Sequence, residues 1–95
     1  MPGIMLVKQK VADVAQWNKV FHDPELNEIR RSHGLAVIGT YLDGENADTL
    51  TVVMAMDDMD RARAFAASTE LVSARKRAGA IGSPAGVWYG PTPVD

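Results

Sequence analysis

Apolar and polar residues alternate over residues 4–11, a pattern that is typical of a β-strand with one buried face. One side of this strand carries Met5, Val7, Gln9 and Val11. The other side carries Ile4, Leu6, Lys8 and Lys10. Two more strand-like stretches, residues 36–42 and 49–56, flank the polar sequence DGENAD, which favours a turn. We therefore predict a first strand and, later in the chain, a hairpin.

The region between the first strand and the hairpin has helical spacing with one interruption. Val14, Trp17 and Phe21 recur at intervals of three and four residues, so one face of a helix there is apolar. Proline disfavours helical geometry in the residue before it but fits the first turn of a helix. Pro24 therefore predicts a break, followed by a second helix over residues 24–32.

Helical spacing returns over residues 57–78, with a step at Ser68 and an end at Gly79, and residues 86–89 form a short last strand. The predicted order is strand, helix, strand, strand, helix, strand. This order is typical of a ferredoxin-like α+β fold with a four-stranded antiparallel sheet. The whole chain, residues 1–95, is predicted to be a single domain of this kind.

The acidic cluster in MDDMDRARAFAAS, residues 56–68, has two possible roles. Carboxylates can hold a hard metal ion or exchange protons, although such sites usually draw ligands from several elements. Asp57 and Asp58 also stand where a strand ends and a helix begins, and there they can accept the free N–H groups of the first turn. We favour helix capping, with ion pairs from Asp57 to Arg61 and from Asp60 to Arg63.

The composition excludes several classes of protein. The net charge of −2 and the absence of a basic stripe argue against a nucleic-acid partner. A chain with no cysteine has no disulfide or thiolate metal site, and a cytoplasmic location is the natural expectation. There is no apolar stretch of the ~18 residues that a membrane helix requires. No nucleotide, zinc or serine-nucleophile motif is present, so no cofactor and no metal are predicted.

Several short patterns together resemble a known group of proteins. They are Trp17-x-x-x-Phe21, Arg30-Arg31-x-x-Gly34, Thr51-Val52-Val53, the run from Asp57 to Leu71, and Ala78-Gly79. In these patterns and in element order the chain resembles the dimeric α+β barrel superfamily of small bacterial antibiotic-biosynthesis monooxygenase-like and polyketide-cyclase-like proteins. The resemblance implies a homodimer whose sheets pair into a barrel, with a pocket in each subunit. Heme-degrading relatives use an asparagine on the first strand, and its absence from IMLVKQKV argues against that activity.

The candidate site residues are one possible base and a set of large apolar side chains. Histidine is the side chain that normally changes charge near neutral pH, and His22 lies beside the Trp17–Phe21 stripe, so it is the candidate catalytic base. His33, before the helix-ending Gly34, is assigned a structural role. The candidate substrate-binding residues are Trp17, Phe21, Tyr41, Met54, Phe65 and Trp88. For each of them a role in a closed core is the alternative.

Two functions of different class remain open at this point. One is a cofactor-independent monooxygenase-like or cyclase-like enzyme that acts on a small aromatic or polyketide-like molecule. The other is a non-catalytic small-ligand-binding or stress-associated homodimer. We expect any pocket to lie within the subunit, between the first helix and the sheet. The opposite face of the sheet is expected to form the dimer, with Ile4, Leu6, Ala36, Ile38, Leu50 and Val52 among its residues.

Overall fold

The computed structural model describes residues 3–94, which form four strands and four helices. In chain order these are β1 (Gly3–Lys10), α1 (Val14–Phe21), α2 (Pro24–Ser32), β2 (Leu35–Leu42), β3 (Thr49–Met56), α3 (Met59–Ala66), α4 (Thr69–Ala78) and β4 (Gly86–Gly90). The predicted strands agree with the observed ones to within one residue at each end. Each predicted helical region consists of two helices.

The strands form one antiparallel sheet in the order β2-β3-β1-β4. In β1, Met5 is paired with Met54 on one side and with Tyr89 on the other. The hairpin between β2 and β3 is formed as predicted, with one irregularity between Val37 and Gly39. This arrangement confirms the ferredoxin-like α+β fold.

The sheet has two faces of different character. The four helices cover the face that carries Met5, Val52 and Met54, and these side chains are buried in the core. The uncovered face carries Ile4 and, on the edge strands, the exposed side chains of Tyr41 and Trp88.

The expected assignment of Leu50 and Val52 to the uncovered face is wrong. Strand alternation places both with Met54 under the helices, and both are buried.

Side-chain caps begin each helix and explain the two breaks. Asp23 accepts a hydrogen bond from the N–H of Glu25 at 2.9 Å, so Pro24 begins α2 as predicted. Ser68 caps α4 in the same way through the N–H of Leu71 at 3.2 Å, and it separates α3 from α4. Gly79 ends α4 with a φ of 78°, a left-handed conformation that glycine adopts without strain.

The acidic cluster begins α3, although one of its two aspartates forms the cap. Asp58 accepts a hydrogen bond from the N–H of Arg61 at 3.0 Å. The predicted ion pairs from Asp57 to Arg61 and from Asp60 to Arg63 are not among the salt bridges within residues 3–94. Arg61 instead donates to the carbonyl of Ser32 at 2.6 Å, which ties α3 to the end of α2.

Replacing Asp58 with alanine is expected to lower the free energy of unfolding by about 1 kcal/mol, the usual cost of losing an N-cap. Asp57→Ala is the matched control, because Asp57 is the neighbouring exposed aspartate and does not cap the helix. Urea unfolding followed by circular dichroism measures both. Equal losses in the two variants would contradict the assignment of the cap to Asp58.

Candidate functional site

A cavity of about 300 Å³ lies between the sheet and the helices. Its wall is formed by side chains from three strands, from all four helices, and from the segment before β4. The large apolar residues of the wall are Met5, Trp17, Phe21, Leu26, Met54, Phe65 and Leu71. The cavity is therefore inside the subunit, where the sequence places it, and not on the uncovered face of the sheet.

Two stacked aromatic rings from α1 form part of the wall. The centroids of Trp17 and Phe21 are 4.4 Å apart, and the planes differ by 16°. They stack because residues four apart lie on the same face of a helix. The stack gives this part of the wall an apolar aromatic surface of the kind that small-molecule sites use.

Arg30 brings a buried positive charge to the cavity wall. It extends from α2, is 2% exposed, and donates from Nη2 to the carbonyl of Phe21 at 2.6 Å. That carbonyl lies in the last turn of α1, where carbonyls lack partners within the helix. The guanidinium carbon also lies 3.9 Å from the centre of the Phe21 ring, a cation–π contact. Burial lowers the pKa of Arg30 to about 10, so it remains a cation at neutral pH.

Gln9 and Arg75 form a second polar group in the wall. Arg75 donates from Nη2 to Gln9 Oε1 at 2.8 Å and to the carbonyl of Gly82 at 2.6 Å. The Gln9 amide donates to the carbonyls of Lys10 at 2.7 Å and Ile81 at 3.1 Å. The bonds of Gln9 thus join β1 to α4 and to the segment before β4, and they fix one part of the wall.

Four of the seven candidate site residues line the cavity together: Trp17, Phe21, Met54 and Phe65. His22 is the last residue of the turn that ends α1, and its side chain is exposed and lies edge-on to Phe21 at 5.4 Å. The ring is not part of the cavity wall, because residue 22 follows the inward-facing Phe21 by one position, about 100° further around the helix. His33 has the structural role expected of it, with Nδ1 2.8 Å from the carbonyl of Ile29.

Tyr41 and Trp88 lie on the uncovered face of the sheet, 58% and 53% exposed, and not in the cavity. Trp88 is paired with Leu6, on the face opposite to Val7. Tyr41 is paired with Thr51, next to the buried Val52. The aromatic character of both residues suggests a cavity lining, but strand register directs them away from it.

Each of these two rings covers a glycine of its own strand. A Cβ placed on Gly39 would lie 2.7 Å from Tyr41 Oη and 3.0 Å from Cζ. A Cβ placed on Gly86 would lie 2.6 Å from Trp88 Cζ2 and 2.7 Å from Cζ3. The rings therefore lie along the sheet surface in space that only glycine leaves free.

Three polar residues of the cavity wall, Gln9, Arg30 and Arg75, were not predicted as site residues. The sequence does mark Gln9 and Arg30, because each is a polar residue at a position where the strand or helix pattern predicts a buried apolar one. Gln9 alternates with Met5 and Val7 in β1, and Arg30 follows Leu26 by four residues on the buried side of α2. A polar side chain in such a position needs either internal partners or a ligand.

Within residues 3–94, no group of three or more histidine, aspartate and glutamate side chains is placed to hold a metal ion. The same part of the chain has no helix with both the length and the apolar character that a membrane crossing requires.

The sequence matches no protein-family model and no curated protein. Similar solved structures show the fold. A candidate antibiotic biosynthesis monooxygenase from Caulobacter crescentus CB15 is 18% identical, with a TM-score of 0.67 over 98% of this chain and 92% of that chain. Protein YjcS is 10% identical, with a TM-score of 0.66 over 100% of both chains.

A nipsnap family protein of unknown function from Agrobacterium tumefaciens is 15% identical, with a TM-score of 0.60 over 95% of this chain and 87% of that chain. At these identities the likeness concerns the fold. The chain therefore shares its ferredoxin-like α+β fold with the candidate antibiotic biosynthesis monooxygenase and with the nipsnap family protein.

Proposed function

We propose that the protein holds a small aromatic or polyketide-like molecule in its cavity and converts it by cofactor-independent chemistry of the monooxygenase-like or cyclase-like kind. The observation that carries this proposal is the cavity of about 300 Å³ beside the stacked rings of Trp17 and Phe21. A mostly apolar cavity with a few polar groups is the usual form of a small-molecule site. The name of the Caulobacter protein of similar fold supports the choice of chemistry.

The side chains of the wall would act by positioning. Electron-rich phenols and anthrones react with dioxygen by themselves once they are ionised, so a protein accelerates the reaction by orienting the ring and excluding water. The aromatic side chains of Trp17 and Phe21 in the wall are suited to contacting such a ring.

A non-catalytic ligand-binding protein is the second candidate, and one observation favours it. Among the described residues that line the cavity there is no histidine, aspartate or glutamate. These are the side chains that most often act as general bases near neutral pH. A ligand in this cavity would therefore meet a shaped surface without an evident proton acceptor.

A panel of hydroxylated naphthalenes and anthrones would test the proposal. At least one compound is expected to raise the melting temperature in a saturable way and to consume oxygen faster than without protein, with the product identified by mass spectrometry. Ala66→Phe, which places a ring in the cavity, is expected to weaken both effects strongly. Saturable stabilisation without turnover would support the non-catalytic alternative. No stabilisation by any compound, or equal effects in Ala66→Phe, would contradict a ligand site in the cavity.

The proposal includes a homodimer formed through the uncovered face of the sheet. Ile4, Tyr41 and Trp88 are exposed there, and large apolar groups in one exposed area are typical of a protein interface. The helices of the same chain already cover the other face of the sheet. A second copy of the chain is therefore proposed to pack its own sheet against the uncovered face.

A further inference from the structure

The charged residues of the cavity wall are all of one sign. Among the described residues that line the cavity, Arg30 and Arg75 are charged and none is acidic. The protein as a whole has a net charge of −2, so this local excess of positive charge does not follow from composition. A buried cation is costly unless an anion or several hydrogen-bond acceptors compensate it.

Arg30 has more hydrogen-bond donors than its surroundings use. A guanidinium has five N–H groups, and the bond to the carbonyl of Phe21 engages one nitrogen, Nη2. Arg30 is in none of the salt bridges within residues 3–94. In that part of the chain, no side-chain nitrogen is both sealed from solvent and without a partner. The remaining nitrogens of Arg30 are therefore not fully sealed, although the residue is 2% exposed overall, and Arg30 lines the cavity.

We propose that Arg30 is the ligand-recognising residue of the cavity and that its ligand is an aromatic anion, with a carboxylate, phenolate or enolate oxygen beside the ring. This inference rests on the proposed function, since it names the class of ligand for the same cavity. The planar donors of arginine match two oxygens of a carboxylate or one strongly basic oxygen. Phe21 and Trp17 then contact the ring of the ligand.

The bond between Arg30 and Phe21 has a second consequence for recognition. Phe21 is held at its carbonyl by the 2.6 Å bond and at its ring by the guanidinium 3.9 Å away. These contacts restrict the rotation of the guanidinium, so little side-chain entropy is lost when an anion binds. Arg75 adds positive charge to the same cavity but is joined to Gln9 and Gly82.

Matched ligands would test this inference by isothermal titration calorimetry. The probes are 2-naphthoate and its neutral amide, 2-naphthamide, which share the ring and differ in charge. The wild-type protein is expected to bind the acid at least about tenfold more tightly, the size of a charge-assisted hydrogen bond. In Arg30→Met the preference is expected to disappear while the amide still binds. Arg31→Met, which removes the exposed neighbouring arginine, is expected to retain the preference.

The outcomes separate the two proposals. Equal binding of acid and amide to the wild-type protein would overturn the inference about Arg30 and leave the proposed function standing. Binding of neither probe, nor of any compound of the aromatic panel, would overturn both. Should Arg30→Met fail to fold, the Arg30 Nε–H signal in nitrogen-15 NMR decides. A shift with the acid and none with the amide supports the contact, and no shift with either contradicts it.

Discussion

Replacing Trp17 with alanine is expected to lower the free energy of unfolding by about 3 to 5 kcal/mol, the range for large buried aromatic residues. Trp17 is buried, stacks on Phe21 and lines the cavity, so its removal takes away a ring contact and enlarges the space. For a small domain this is a large share of a total stability of roughly 5 to 15 kcal/mol. Guanidinium unfolding followed by circular dichroism measures the loss.

Trp17→Phe is the matched control for this prediction. It keeps an aromatic ring next to Phe21 and is expected to lose clearly less stability than Trp17→Ala. Free indole is also expected to raise the melting temperature of Trp17→Ala more than that of the wild type, because an apolar cavity made by truncation accepts a ligand of the missing shape. A loss below about 1 kcal/mol in Trp17→Ala would show that this ring does not hold the core together.

Replacing Ile4 with aspartate is expected to convert the proposed dimer into a monomer. Ile4 lies on a central strand of the sheet, on the uncovered face, and is 40% exposed in the single chain. A charge buried without a partner costs about 3 to 5 kcal/mol, so the dissociation constant is expected to rise about a hundredfold or more. Sedimentation velocity at micromolar concentration measures the change.

Val72→Asp is the control variant. It also introduces a charge at an exposed apolar residue, but outside the proposed interface. Val72 lies on α4, on the helical side of the molecule, and its exposure of 46% is close to that of Ile4. This variant is expected to remain a dimer with a nearly unchanged melting temperature. A wild-type protein that sediments as a monomer, or an Ile4→Asp variant that sediments as a dimer, would contradict the proposed interface.

The fold could be predicted because its main signals are local. Alternation in β1, the break at Pro24 and the helix end at Gly79 each depend on a few neighbouring residues. The division of residues 57–78 into two helices depends on Ser68 forming a cap. The sequence shows a step at Ser68, and the hydrogen bond by which Ser68 caps α4 explains why α3 and α4 are separate helices.

The side of the sheet on which Tyr41 lies could not be predicted in the same way. Leu35 and Val37 lie on the helical side of β2, and simple alternation would put Tyr41 there too. The irregularity between Val37 and Gly39 shifts the register by one residue and sends Tyr41 to the other face. Such an extra residue has no clear sign in the sequence.

The role of Arg30 also depends on non-local geometry. Its main partner is the carbonyl of Phe21, nine residues earlier and on another helix. The sequence shows an arginine at an apolar position of α2, but it does not show that a cavity lies beside it. The angle between α1 and α2 decides that, and no short stretch of residues encodes this angle.

The rings of Tyr41 and Trp88, each lying over a glycine, affect the cost of association. A side chain that rotates freely in the separate chain loses conformational freedom when a partner covers it, at about 0.5 to 1.5 kcal/mol for a group with many rotamers. Tyr41 and Trp88 lie over Gly39 and Gly86 within one chain, where a Cβ would meet them. In the proposed dimer, a partner that covers this face would meet two rings that already lie flat along the sheet. An alanine at either glycine would displace the ring, so it is expected to weaken the proposed dimer.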